Sequence, residues 1–260
     1  MSGTGLRSHA LGMVVEGRNV TLCFFDREGV IHTDTFDFIQ QFDLFATILV
    51  CHHLLDAYQW GFHSFLQFPK GLLPHMGTDK DAVTVDFNSD MTVRLDSTLH
   101  KQHGLVGRGT VVYNATVLNG PVHLLNKEVV VKTAWQDVGQ APEEHTIRTA
   151  RERFLEKEDT AKYAKNIPTV YASCQGVKLS SLRSKFRPKS HVEFEDRIMR
   201  IVVLPRYYYI GRLRSIFKIA KCFKDIFYCK SYVSHPSRLV LIDDCRSSRI
   251  ISNWHLASRP

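Results

Sequence analysis

An α+β fold is predicted for this chain, on three observations. Short runs of alternating apolar and polar residues, closed by Asp, Asn or Gly, recur through its first two thirds. Three longer stretches instead repeat apolar residues at threes and fours, the spacing of one helix face. At 260 residues with 44% hydrophobic content, the chain can bury a full core in one large or two small domains.

Residues 12–36 read as strands. Val20, Leu22 and Phe24 alternate with smaller residues, and Asp26-Arg27-Glu28-Gly29 supplies a turn before Val30-Ile31-His32. A helix is expected from Phe38 to Gly61, with Phe38, Phe42, Phe45, Ile48, Leu49 and Leu55 on a dry face. Residues 69–80, rich in Gly and Pro, read as a loop, followed by strands Ala82–Phe87 and Met91–Leu95 around Asn88-Ser89-Asp90. Polar residues 97–103 lack periodicity and suggest a domain boundary.

Beyond that boundary the pattern is glycine turn, strand, strand. Gly107-Arg108-Gly109-Thr110 leads into the β-branched run Val111-Val112-Tyr113-Asn114-Ala115, and Val129-Val130-Val131-Lys132 reads as a strand ending in lysine. A helix follows from Ala141-Pro142-Glu143-Glu144 to Glu158. Proline suits its first turn, the glutamates oppose the dipole, and Ile147, Ala150, Phe154 and Leu155 share a face. Strands are expected at Thr169–Ala172 and Met199–Leu204, with a basic loop between them. After Pro205, a helix over Leu213–Cys229 buries Ile216, Phe217, Ala220, Phe223, Ile226 and Phe227.

The chemistry rests on order. A G-x-G alone fits any hairpin turn that needs φ > 0, and a lone strand lysine fits a surface. A glycine turn whose N–H groups approach phosphates, then a lysine two strands on, then a helix carrying Glu144, is an arrangement for holding nucleotide phosphates. Glu144 would pair with Lys132 and fix its ammonium; Glu143 is the rival, and both also complement the helix dipole.

With these residues in view, the chain resembles the fungal-type protein kinase family of basidiomycetes. The match rests on Gly107-Arg108-Gly109-Thr110 with Val112-Tyr113, Val131-Lys132-Thr133-Ala134-Trp135, the segment around Glu144, Asn166-Ile167-Pro168-Thr169-Val170-Tyr171, and Arg200-Ile201-Val202-Val203-Leu204-Pro205. Phe25-Asp26-Arg27-Glu28-Gly29-Val30 and Phe36-Asp37-Phe38 resemble the region preceding the kinase part. The resemblance implies a small α+β region (1–100), a kinase-like small lobe of antiparallel sheet plus one helix (101–205), and an incomplete helical large lobe (206–260). It also implies an ATP cradle of Gly107, Gly109, Thr110, Val112, Lys132 and Glu144.

Departures from the family pattern bear on activity. Where the resemblance implies a His-Arg-Asp loop, the chain reads Lys230-Ser231-Tyr232-Val233-Ser234-His235-Pro236-Ser237. Tyr232 stands for the catalytic aspartate and Ser237 for a metal-binding asparagine. In Asn253-Trp254-His255-Leu256-Ala257, Asn253 replaces the magnesium-binding aspartate. A neutral amide lacks the anionic oxygen Mg²⁺ prefers, and a tyrosine of pKa near ~10 is a poor base. No catalytic residue is therefore assigned, Mg²⁺ is doubtful, and impaired transfer is expected, as a pseudokinase or as a fragment of an active serine/threonine kinase. Without further large-lobe helices, the apolar face of 213–229 is expected to be covered by the N-terminal region, by a protein partner, or not at all.

Other function classes are disfavoured. Six scattered cysteines form no C-x-x-C pair, and the histidines lack zinc-ligand spacing, so no metal site is expected. A net charge of +8, with Lys178, Arg183, Lys185, Arg187 and Lys189 near Tyr207-Tyr208-Tyr209, keeps a nucleic-acid-binding module as a weaker alternative. Met1–Ala10 lacks the core of a secretory signal, and charges interrupt the apolar stretch 38–65. An intracellular protein without a membrane span is expected.

Overall fold

The computed structural model describes residues 6–68, 83–87, 90–156, 158–186, 194–207 and 215. It is a mixed α/β structure with antiparallel sheets, and it divides into two units, residues 1–140 with 172–203 and residues 141–171 with 204–260.

The first unit holds two sheets. In the smaller, β1 (Ala10–Glu16), β2 (Asn19–Asp26) and β3 (Gly29–His32) run in order, and β4 (Phe36–Asp37) pairs with β2. Glu16 faces Asn19 and Asp26 faces Gly29, so each connection is a two-residue hairpin. Gly17, at φ 60°, meets the left-handed demand of the first. The turn at Asp26 lies where the sequence predicts it.

The larger sheet has seven strands in the order β10-β11-β9-β8-β7-β6-β5. These are β5 (Leu66–Gln67), β6 (Thr84–Phe87), β7 (Met91–Lys101), β8 (Val111–Asn119), β9 (Glu128–Asp137), β10 (Ala172–Lys178) and β11 (Arg197–Pro205). Strand β9 is dry on both sides, with Val129, Val131, Thr133 and Trp135 on one face and Val130 and Ala134 on the other. Lys132 is thus in mid-strand rather than at a strand end, because the apolar run continues through Ala134 and Trp135.

Several expectations are corrected. Residues 97–101, expected as a boundary, are the second half of β7, where an exposed stretch pairs with β8 through register shifts. Polar composition there reflects exposure, not a break in the sheet. The strand expected at Thr169–Ala172 is instead Ala172–Lys178, since pairing with β11 outweighs the weak strand preference of Ser173, Gln175 and Gly176. The first helix, α1, spans only Phe42–Leu54 and has no buried residue. Asp37 Oδ1 accepts the N–H groups of Ile39 (2.9 Å) and Gln40 (3.1 Å), and this turn holds Phe38 outside the helix. Reciprocal bonds between Asp56 and Gln59 close the other end.

Apolar contact joins the segment after α1 to the larger sheet within this unit. Phe62 is buried, and the His63 ring lies 6.1 Å from that of Trp135. A Cβ on Gly176 would strike the His63 ring and press on Met199. Helix α4 (Leu179–Arg183), which the sequence reading missed, buries Leu179 and Leu182 and is fixed by Asp196, which accepts from Ser180 N (2.9 Å) and Oγ (2.8 Å).

In the second unit, α2 (Glu143–Leu155) starts at Pro142, whose carbonyl accepts from Thr146 N at 3.1 Å. Its end is tied down by Arg151, which donates to the carbonyls of Ala164 (3.1 Å) and Ile167 (2.9 Å) beyond the short α3 (Glu158–Ala161). Phe154 is buried as expected; Leu155, expected beside it, is exposed, lying at the last helical position. The expected helix 213–229 lies outside the described residues.

Candidate nucleotide site

Strands β7 and β8 are joined by residues 102–110, which contain both predicted glycines. Gly107 (φ 90°) and Gly109 (φ 47°) occupy the left-handed region that side chains rarely adopt. Gln102 N–H donates to Thr110 O (2.9 Å), and Thr110 N–H donates to Gln102 Oε1 (3.3 Å), closing the base of the hairpin. Its tip folds toward β9: Trp135 N–H donates to Arg108 O at 2.8 Å, and Arg108 Nη2 donates to Gln140 Oε1 at 3.1 Å.

The hairpin is also held by Arg27, from the turn between β2 and β3. Gly107 N–H donates to Arg27 O (2.8 Å), while Arg27 Nη1 donates to Gly104 O (2.9 Å). A Cβ on Gly109 would overlap the Arg27 guanidinium, so close approach and left-handed backbone both favour glycine there. The sequence reading took Arg27 only as part of a turn. A cation between two turn formers, inside the upstream segment of the resemblance, was the available signal.

Register fixes which groups share a face. Lys132 on β9 pairs with Val112 on β8, which pairs with His100 on β7. Asn114 and Val130 form the next pair on the same face. Val112 is buried, Lys132 is half-buried, and Thr110 is half-buried at the hairpin's exit. Asn114 Nδ2 donates to Ser97 Oγ (3.0 Å), while its buried Oδ1 has no hydrogen-bond partner among the described residues. Trp135, against which His63 packs, belongs to the opposite face by alternation. The Lys132 face is therefore not the one covered by His63.

Glu144 belongs to the second unit, in the first turn of α2 beside the rival Glu143. Its Oε2 is buried and lacks a hydrogen-bond partner among the described residues. Tyr232, Ser237 and Asn253 lie outside the described residues. Among the described residues no group of three or more His, Cys, Asp or Glu side chains is placed to hold a metal ion, and no helix is long and apolar enough to cross a membrane.

The hairpin with its two glycines, the strand carrying Lys132, the helix carrying Glu144 and two further strands follow in the order the resemblance requires. A family model described as fungal protein kinase matches residues 3–229. The chain belongs to the fungal protein kinase family. The family match includes the small sheet and Arg27 as well as the glycine hairpin, and it ends before Tyr232, Ser237 and Asn253. The equivalence of those three with catalytic positions rests on the resemblance alone. No match was found among curated proteins or solved structures.

Proposed function

We propose that this fungal protein kinase family member binds a nucleoside triphosphate at the glycine hairpin and transfers its phosphoryl group weakly or not at all. The observation that carries the reading is the braced hairpin of Gly107 and Gly109 beside β9, with Lys132 directly across from Val112. In this reading the hairpin covers the phosphates, the Val112 side chain packs on the base, and the Lys132 ammonium neutralises phosphate charge. Glu144 is the proposed partner of Lys132. A buried carboxylate oxygen without a hydrogen bond calls for a cation, since leaving it unpaired is costly.

ATP, when bound, supplies the γ-phosphoryl group; the chain's part is to hold and orient it. The residues aligned with metal ligands, Ser237 and Asn253, are poor donors for Mg²⁺, which is why slow transfer is proposed. The same proposal gives the helix expected at 213–229 a protein partner, and with it a scaffold role inside the cell. The alternative is a fragment of an active serine/threonine kinase.

Thermal unfolding with ATP, with and without Mg²⁺, tests the cradle. Ligand at about a hundred times its Kd adds roughly 2.7 kcal/mol, and Lys132→Met should remove that gain. A stabilisation by ATP that survives without Mg²⁺ supports a pseudokinase. No stabilisation of a cooperatively unfolding chain removes nucleotide binding, and robust phosphoryl transfer removes the impaired reading.

A further inference from the structure

On the other side of the larger sheet from Lys132 the chain builds a second cationic cleft. Register decides the side: Lys101 pairs with Val111, which pairs with Thr133, one position off the His100, Val112 and Lys132 row. Consecutive strand positions point to opposite faces. Lys101 lines the cleft with Arg7, His9, Asp26, Arg27 and His103, all of one unit.

Two of the cleft's arginines, Arg7 and Arg27, have no carboxylate of their own among the described residues. Its one carboxylate among the lining residues, Asp26, is already held by both nitrogens of the Arg183 fork, Nε at 2.7 Å and Nη2 at 2.6 Å. Arg7 has its guanidinium 4.3 Å over the centre of the Phe62 ring, and Arg27 donates to backbone carbonyls. Neither makes an ion pair with a carboxylate among the described residues. Burial lowers the pKa of both, the expected response of a cation whose charge is not matched. His9 is fixed: its ring stacks on Phe24, Nε2 donates to Gln59 O at 3.0 Å, and Ser8 Oγ lies 2.9 Å from Nδ1. Burial lowers its pKa against that bond to Gln59, and the charges of Lys185 and Arg7 act in the same direction as burial.

The volume suits one tetrahedral anion. It is about 70 Å³, against the ~10–15 Å³ that a single water occupies.

We propose that the cleft of Arg7, Arg27 and Lys101 is a binding site for a phosphate monoester or free phosphate dianion, separate from the nucleotide site. Guanidinium forks match the oxygens of such a group, and the dianion dominates above its second pKa of ~6. Because Arg27 also holds the glycine hairpin, an anion drawing its guanidinium away from Gly104 O would loosen that hold. The site itself does not depend on the nucleotide reading.

The test titrates the full chain with inorganic phosphate and, separately, with O-phosphoserine, against chloride at equal ionic strength. Binding is read by ³¹P line broadening and by the shift in unfolding temperature. Saturable binding is expected, weakened at least tenfold by Arg7→Met, which keeps an apolar contact with Phe62. Lys101→Met, at a half-buried strand end, should weaken it several-fold and serves if the Arg7 variant fails to fold. Preference for phosphoserine would identify an esterified group, and preference for phosphate the free ion; either supports the site. No saturable binding, or binding untouched by the folded variants, overturns it. So does loss of phosphate binding in Lys132→Met, which would assign the anion to the nucleotide cradle. Failure of ATP binding alone leaves phosphate binding measurable, so the two proposals fail separately.

Discussion

Arg183 closes a fork on Asp26 across 157 residues of chain, with Nε 2.7 Å and Nη2 2.6 Å from the two carboxylate oxygens. The Asp26 side chain is fully buried and that of Arg183 is 13% exposed, and the pair raises the Arg183 pKa through that hydrogen bonding. Removing one partner of such a pair leaves a buried charge unmatched. Asp26→Asn should therefore destabilise the chain by about 3–5 kcal/mol, read from urea unfolding. Asp26→Leu with Arg183→Met should recover much of that loss. A loss below ~1 kcal/mol, the range of exposed pairs, would show the fork to be solvated.

His63 should make the protein acid-sensitive. Burial, then the charge of His9, lowers its pKa from 6.5 to about 4, and only 5% of the residue is exposed. As pH falls below 6.5 the unfolded chain takes up the proton first, while the folded chain resists until about pH 4. Stability is fully present above 6.5 and is lost through that window, on the order of 3 kcal/mol in all. His63→Phe should flatten this part of the stability–pH curve. An unchanged slope would assign it to other groups.

Gly61 has no room for a side chain. At φ 92° its Cβ would collide with the carbonyl of His9, while its own carbonyl accepts from Ser8 N–H at 2.7 Å. Gly61→Ala should cost about 2–4 kcal/mol by strain and backbone displacement, measured as a lower denaturant midpoint. Gly17→Ala, with nothing within 4 Å, should cost only about 1 kcal/mol for the left-handed conformation.

Nucleotide affinity separates Lys132 from Glu144. Lys132→Met should weaken ATP at least tenfold, about 1.4 kcal/mol, in a calorimetric titration. Glu144→Gln should weaken it less and Glu143→Gln hardly at all. The reverse order for the two glutamates would make Glu143 the partner.

The glycine hairpin, β8, β9 and α2 were legible because local rules suffice for them: glycines at left-handed positions, a β-branched run, and Pro142 before two glutamates. Lys132 stands in the β-branched run of β9, at mid-strand. The rest depends on residues far apart in sequence. Nothing local marks β10, whose Ser173, Gln175 and Gly176 become a strand only beside β11. Arg27 looks like an ordinary turn residue until Gly104, Gly107 and Gly109 are brought against it. Helix α1 misleads in the opposite direction, since its apolar residues are periodic yet none is buried.

The turn that steadies the glycine hairpin also sets a timetable for the chain's synthesis. Arg27 is fixed between Asp26 and Glu28, whose partners Arg183 and Arg197 are made much later. At about 5–20 residues per second, the 157 residues from Asp26 to Arg183 take a ribosome roughly 8–30 s. Through that interval Asp26 and Glu28 lack the guanidiniums they will bury. The small sheet can pair its strands early, but the ion pairs on either side of Arg27 must wait until α4 and β11 have emerged.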